Sequence, residues 1–221
     1  MPTDPRAALL DLIASLSFKL GDFTLASGQK SDYYIDCRTT TLHAEGGRLA
    51  GLVFYDLIRQ HIPNAVAVGG LTMGADPLVS ATSIASATAL ADYTELRALA
   101  ADLELEEEDG PEPTLIHGFL VRKAEKAHGT GRRVEGFLHP GAPVVIVDDV
   151  CTTGGSTITA IEATRDAGMT VARVLCLVDR EQGGRLNIER ALAEVPSDIT
   201  PPFLSVFTHN DVRRAHLALK K

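Results

Sequence analysis

Val144-Val145-Ile146-Val147-Asp148-Asp149-Val150-Cys151-Thr152-Thr153-Gly154-Gly155-Ser156-Thr157 is the stretch whose reading decides the fold. Its first four residues are apolar and mostly β-branched, the composition of a strand buried on both faces, as in parallel sheets. Two carboxylates, Asp148 and Asp149, are expected to emerge at the end of that strand, where open α/β sheets bind their ligands. Residues 152–157 then offer hydroxyls and unhindered backbone N–H groups, leading into an apolar-periodic helix through Ile158 and Ile161 that ends near Gly168. A helix start of that kind holds a phosphate.

One small ligand can satisfy both halves. The acidic pair would repel a phosphate but accept hydrogen bonds from hydroxyls, whereas the turn behind it wants a phosphate monoester. A ribose 5-phosphate meets both demands, with its phosphate on Thr152, Thr153, Gly154, Gly155 and Ser156 and its 2- and 3-hydroxyls on Asp148 and Asp149. Asp, Thr and Ser are also ordinary helix caps, but capping alone does not call for Asp-Asp, Thr-Thr and Gly-Gly in tandem. No G-x-x-x-x-G-K-[ST] loop occurs, so nucleoside triphosphate hydrolysis has little support.

Upstream, Arg122-Lys123-Ala124-Glu125-Lys126-Ala127-His128-Gly129-Thr130-Gly131 gathers cations in a chain of net charge −8. Such a cluster is either a solvated basic turn or a partner for a polyanion. Nearer the start, Phe23-Thr24-Leu25-Ala26-Ser27-Gly28-Gln29-Lys30-Ser31-Asp32-Tyr33-Tyr34-Ile35-Asp36 reads as a β-hairpin with a Ser-Gly turn region, and nothing in those cues identifies a ligand.

Together these segments carry a resemblance. Val-Asp-Asp-Val-Cys-Thr-Thr-Gly-Gly-Ser is similar to the phosphoribosyl pyrophosphate (PRPP) loop of type I phosphoribosyltransferases. The basic run matches every fixed position of Arg-Lys-x-x-Lys-x-His-Gly, the mobile catalytic loop of orotate phosphoribosyltransferases, and the hairpin resembles their N-terminal hood. With Asp179-Arg180-Glu181-Gln182-Gly183-Gly184 the resemblance spans nearly the whole chain. It implies an α/β fold of the type I phosphoribosyltransferase kind: a mostly parallel central sheet flanked by helices, with a small hood over residues 1–40 and a mobile loop over residues 122–133.

The activity implied is transfer of the 5-phosphoribosyl group from PRPP to orotate, with inversion at the anomeric carbon, in pyrimidine biosynthesis. PRPP would be held by Arg122, Lys123, Lys126, His128, Asp148, Asp149, Val150, Cys151, Thr152, Thr153, Gly154, Gly155 and Ser156. Orotate would meet Thr152 and Arg180, whose planar guanidinium suits a carboxylate. Arg180 could instead be a surface arginine paired with Asp179 or Glu181. Lys123, Lys126 and His128, with Arg122 reaching across a two-fold interface of a homodimer, would neutralise the departing pyrophosphate. Mg²⁺ would ride on PRPP, with no site fixed by protein alone. Two lysines of some family members are absent: Ala26 stands at one position, where Lys30 is a candidate substitute, and Met73 or its neighbours at the other. Pyrophosphate contacts would then lean on backbone N–H groups of the Val68-Gly69-Gly70-Leu71-Thr72-Met73-Gly74-Ala75-Asp76 connection.

Composition agrees with one domain. At 221 residues and 45% hydrophobic, with mean hydropathy +0.07 and pI near 5.3, the chain can bury a full α/β core, and its acidity argues against a nucleic-acid surface. No signal peptide or membrane span is expected, which places the protein in the cytoplasm. Cys37, Cys151 and Cys176 cannot all pair and lack metal-ligand spacing, so they are expected as reduced thiols, Cys151 as a packing residue. Apolar stripes at Leu9, Leu12, Ile13 and Leu16, and at Leu49, Leu52, Val53, Leu57 and Ile58, predict two core-facing helices. Strands are expected near 65–68, 115–121, 144–147, 173–178 and 203–207. Residues 100–113, rich in Glu and ending in prolines, read as an acidic, solvated insertion loop. Two alternatives are a PRPP-dependent transferase for another base, which lacks this loop spacing, and a PRPP-sensing regulator that binds nucleic acid, which the charge disfavours.

Overall fold

A computed structural model of the chain describes residues 4–24, 30–105, 110–124, 133–193 and 202–220. Its frame is a six-stranded sheet in the order β5-β4-β3-β6-β7-β8, built from β3 (Ala67–Leu71), β4 (His117–Val121), β5 (Val134–Gly136), β6 (Pro143–Cys151), β7 (Thr170–Asp179) and β8 (Phe203–Thr208). The pairings among β4, β3, β6, β7 and β8 are parallel, and β5 alone runs antiparallel, against β4.

The apolar run at 144–147 sits at the sheet's centre because each of its faces meets a core. Val145 and Val147 join the cluster under α1 (Pro5–Leu12), α3 (Ala44–His61), α4 (Asp76–Asp102) and α7 (His209–Ala218). Val144 and Ile146 join the cluster under α5 (Gly155–Asp166) and α6 (Gly184–Leu192). Fully burying such side chains contributes about 1.5–3 kcal/mol each, which explains why the run carries no polar residue until Asp148.

The strand order creates the functional edge. From β3 the chain moves to β4 on one side, whereas from β6 it moves to β7 on the other, so the connections part between β3 and β6. A crevice forms outside the carboxyl ends of strands where connections diverge in this way.

Over that edge lies an antiparallel hairpin, β1 (Phe18–Thr24) and β2 (Lys30–Ile35), pairing Phe18 with Ile35 and Thr24 with Lys30. It is tied down by Asp36 N donating to Ser17 O at 3.0 Å and by Arg213 Nη2 donating to Asp32 Oδ2 at 2.7 Å. The first predicted helix ends at Leu12 and continues as a π-helical turn, Ile13–Ser17, with a short helix α2 (Arg38–Thr41) following the hairpin. Leu9 and Ile13 are fully buried while Leu16 stays exposed, so that apolar stripe is only partly a core face.

Three expectations need correcting. The strand does not stop before the carboxylates but runs through them to Cys151, because β7 continues to pair with it as far as Asp179. The insertion is not loop from its start: residues 100–102 are the last turn of α4. Its far end is fastened to α3 by Arg59, which donates to Glu112 O at 3.0 Å and to Thr114 Oγ1 at 2.9 Å. Gly69 and Gly70 lie within β3 rather than in a connection, and a Cβ on Gly69 would stand 2.2 Å from the Phe119 ring. Among the described residues no helix is long and apolar enough to cross a membrane.

Candidate active site

A cleft of about 400 Å³ opens at the β3/β6 edge. Its floor is Asp148, Asp149, Val150, Thr152 and Ser156, one wall is the segment 71–74, and the hood adds Tyr34, Asp36 and Arg38, with Lys123 and Arg180 completing it.

The two carboxylates have different tasks. Asp148 is buried, and its Oδ2 accepts from Ser156 Oγ and Thr157 Oγ1, both at 2.7 Å. Its Oδ1 accepts from Asp149 N at 3.0 Å. The first carboxylate therefore locks strand β6 to the start of α5. Asp149 is less enclosed; one oxygen accepts from Val150 N at 2.9 Å. Burial first, and then the neighbouring Asp148 charge, lift its pKa to about 6. Burial also raises Asp148, against the opposing pull of its hydroxyl donors.

Behind them Gly154 adopts φ +82°, the left-handed conformation that lets the chain turn sharply into α5. No side chain caps this helix start, which leaves its first N–H groups as anion donors. The turn rests on α6: Gly184 N donates to Thr152 O at 3.1 Å and Asn187 Nδ2 to Thr153 O at 3.0 Å. Cys151 is buried beneath it, and all three thiols are free and buried. Desolvation raises the Cys37 and Cys176 thiols well above their usual range.

Arg180, which also lines the cleft, is only 7% exposed. It is not a surface arginine paired with its neighbours. Asp179 accepts from Glu181 N at 2.8 Å and lies 3.6 Å from Arg185 Nε, while Glu181 pairs with His209 at 3.1 Å. Arg180 Nε instead donates to Tyr33 Oη at 3.2 Å, and its Nη2 is buried without a hydrogen-bond partner among the described residues. A buried cation with an unsatisfied donor is prepared for an anion.

Of the loop residues, Arg122 pairs with Glu135 at 3.2 Å, and its N–H donates to Arg133 O at 2.8 Å, closing the stem of the 122–133 segment. Lys123 reaches the cleft. Lys126 and His128 lie outside the described residues, as does Ala26. Lys30 turns away, donating to Thr24 Oγ1 across the hairpin at 2.9 Å. Sequence reasoning missed Arg38, whose Nε and Nη2 donate to Asp36 at 2.8 and 2.7 Å on the cleft wall. Nothing in its local sequence distinguishes it from a surface arginine.

For a divalent cation, the described residues bring no three His, Cys, Asp or Glu side chains together. Asp149 does present hard carboxylate oxygen to the cleft, which suits Mg²⁺ arriving with ligands from phosphate and water.

Fold and crevice together define a phosphoribosyl transferase domain, and the family model of that description matches residues 120–196. An orotate phosphoribosyltransferase of Nostoc sp. is 39% identical over 215 residues, spanning 97% of this chain and 88% of the relative. The chain belongs to the orotate phosphoribosyltransferase family. Among solved structures, the Mycobacterium tuberculosis orotate phosphoribosyltransferase in complex with Fe(III) dicitrate is 34% identical, with TM-score 0.69, covering 94% of this chain and 98% of that one. The same enzyme in complex with PRPP is 30% identical, with TM-score 0.65, covering 95% and 99%.

Proposed function

We propose that this chain transfers the 5-phosphoribosyl group from PRPP to orotate, releasing pyrophosphate and forming orotidine 5′-monophosphate. The observation that carries the reading is a cleft that brings two kinds of group together. It is lined by the carboxylates of β6 and the start of α5, which has no side-chain cap among the described residues, and by Arg180, whose buried Nη2 has no hydrogen-bond partner among the described residues. The 5-phosphate is assigned to the turn at 152–156, the ribose hydroxyls to Asp149 with Asp148 behind it, and the orotate carboxylate to Arg180, with Thr152 between sugar and base. The PRPP complex of the Mycobacterium tuberculosis relative supports the sugar-phosphate half.

Displacement at C1 by a ring nitrogen of orotate expels a leaving group of several negative charges from an oxocarbenium-like sugar. What the chain must supply is cationic neutralisation and exclusion of water. Lys123, Lys126 and His128 are assigned to that neutralisation, with Arg122 acting across the two-fold axis of a homodimer. Arg122 would exchange its exposed pairing with Glu135 for the pyrophosphate, a pairing too solvated to cost much to break. Mg²⁺ bound beside Asp149 and the substrate oxygens would neutralise further charge on pyrophosphate.

The test is the loss of orotate absorbance with PRPP and Mg²⁺. Turnover that requires both substrates is expected, and Arg180→Ala should weaken orotate while leaving PRPP binding nearly intact. Equal loss of both substrates would sink the assignment of Arg180, and no turnover would sink the reaction.

A further inference from the structure

We infer that Tyr33 is the positioning residue for Arg180, and so sets the preference for a carboxylated pyrimidine over the same ring without its carboxylate. The inference rests on the reading of Arg180 as the orotate partner and adds to it how the arginine is aimed.

A buried guanidinium is usually fixed by a carboxylate, which also cancels its charge. Here the fixing group is neutral. Tyr33 Oη accepts from Arg180 Nε at 3.2 Å, and the guanidinium carbon lies 4.8 Å from the centroid of the Tyr33 ring. The phenol thus orients the cation by hydrogen bond and ring quadrupole, and no carboxylate among the described residues forms an ion pair with it. With Nε occupied, the Nη groups remain for a bidentate carboxylate, and Nη2 is buried without a partner among the described residues.

Tyr33 is itself held rigidly enough to do this. It is 5% exposed and stacks on Phe18 at 5.4 Å and 17° and on His209 at 5.3 Å and 8°. Arg213, tied to Asp32, lies 5.4 Å from the same ring. Ser31 Oγ donates to Tyr33 O at 2.7 Å, fixing its backbone as well. Tyr33 therefore transmits the placement of the hood and of α7 to one side chain in the cleft.

Tyr33→Phe keeps the ring and removes only the hydroxyl. Because a hydrogen bond to a charged group is lost, KM for orotate should rise about tenfold, with kcat and KM for PRPP nearly unchanged. Affinity for orotidine 5′-monophosphate should fall by the same factor, whereas affinity for uridine 5′-monophosphate, which lacks the carboxylate, should not move. A packing defect would weaken both nucleotides alike. Tyr33→Leu, which also removes the ring, should exceed the effect of Tyr33→Phe. Wild-type orotate kinetics in Tyr33→Phe, or equal losses for the two nucleotides, would overturn the inference. Arg180→Ala run alongside separates the levels. If it spares orotate, the reading of Arg180 itself fails; if it costs orotate while Tyr33→Phe does not, only the positioning role falls.

Discussion

Gly74 stands so close to Asp149 that a Cβ added to it would lie 2.4 Å from Asp149 Oδ1. The connection after β3 thus presses its backbone against the less enclosed of the two β6 carboxylates on the cleft floor. Gly74→Ala must displace either the carboxylate or the loop, and small misplacements of a binding group are costly to catalysis. We expect kcat/KM for PRPP to fall by about tenfold to a hundredfold with little change in the thermal midpoint. Steady-state kinetics at wild-type values would show that Asp149 shifts without consequence.

Asp149 also makes the protein sensitive to pH. Its pKa in the folded state is about 6, above the value near 3.9 of an unfolded aspartate. The folded state therefore takes up this proton more readily, so the ionised carboxylate destabilises the fold at pH 7–8. That penalty fades as pH falls through about 6 and is gone near 4. Asp149→Asn should be the more thermostable protein at pH 8, with the gap closing as the pH drops; a gap independent of pH contradicts the shift. In the wild type, kcat/KM for PRPP should decline on the acid side with an apparent pKa near 6, a value belonging to the Asp148–Asp149 pair jointly.

The buried hydroxyl of Thr157 donates to Asp148 Oδ2 at 2.7 Å. Thr157→Val is nearly isosteric but leaves that buried carboxylate short of a donor, so stability should fall by about 1.5–3 kcal/mol. Ser156→Ala removes a donor at the same distance, yet Ser156 is exposed and water can replace it. The ordering of the two variants in urea unfolding is the measurement. A larger loss for Ser156→Ala would mean that Asp148 is anchored from the solvent side.

What the chain shows in one dimension follows from how local each signal is. The runs at 144–147 and 174–178 announce buried strands because both faces of each strand meet apolar neighbours, a demand that the composition must meet. β5 gives no such signal: three residues, Val134–Gly136, at a sheet edge leave little to read. The crevice itself depends on strand order, which long-range pairing decides, so the sequence offers the carboxylates as a candidate ligand site but not which of them anchors β6 to α5. Tyr33, Tyr34 and Arg38 carry ordinary letters of a hairpin and its exit. They matter only because the hairpin folds over the sheet edge, bringing residues near 33 against residue 180.

The two glycines at the start of α6, Gly183 as its N-cap and Gly184 as its first residue, offer the sharpest contrast between space and strain. A Cβ on Gly184 would lie 2.4 Å from Cys151 Sγ and 2.7 Å from Thr152 O, directly beneath the turn assigned to the 5-phosphate. Gly183 has φ +90° but open space around it. Gly183→Ala should therefore cost about 1–2 kcal/mol of stability through backbone strain alone, with KM for PRPP unchanged. Gly184→Ala should raise KM for PRPP by lifting Cys151 and Thr152, and adding Cys151→Ala, which clears the sulfur, should recover part of the loss. If Gly184→Ala binds PRPP as the wild type does, the turn over α6 is not where the sugar phosphate sits.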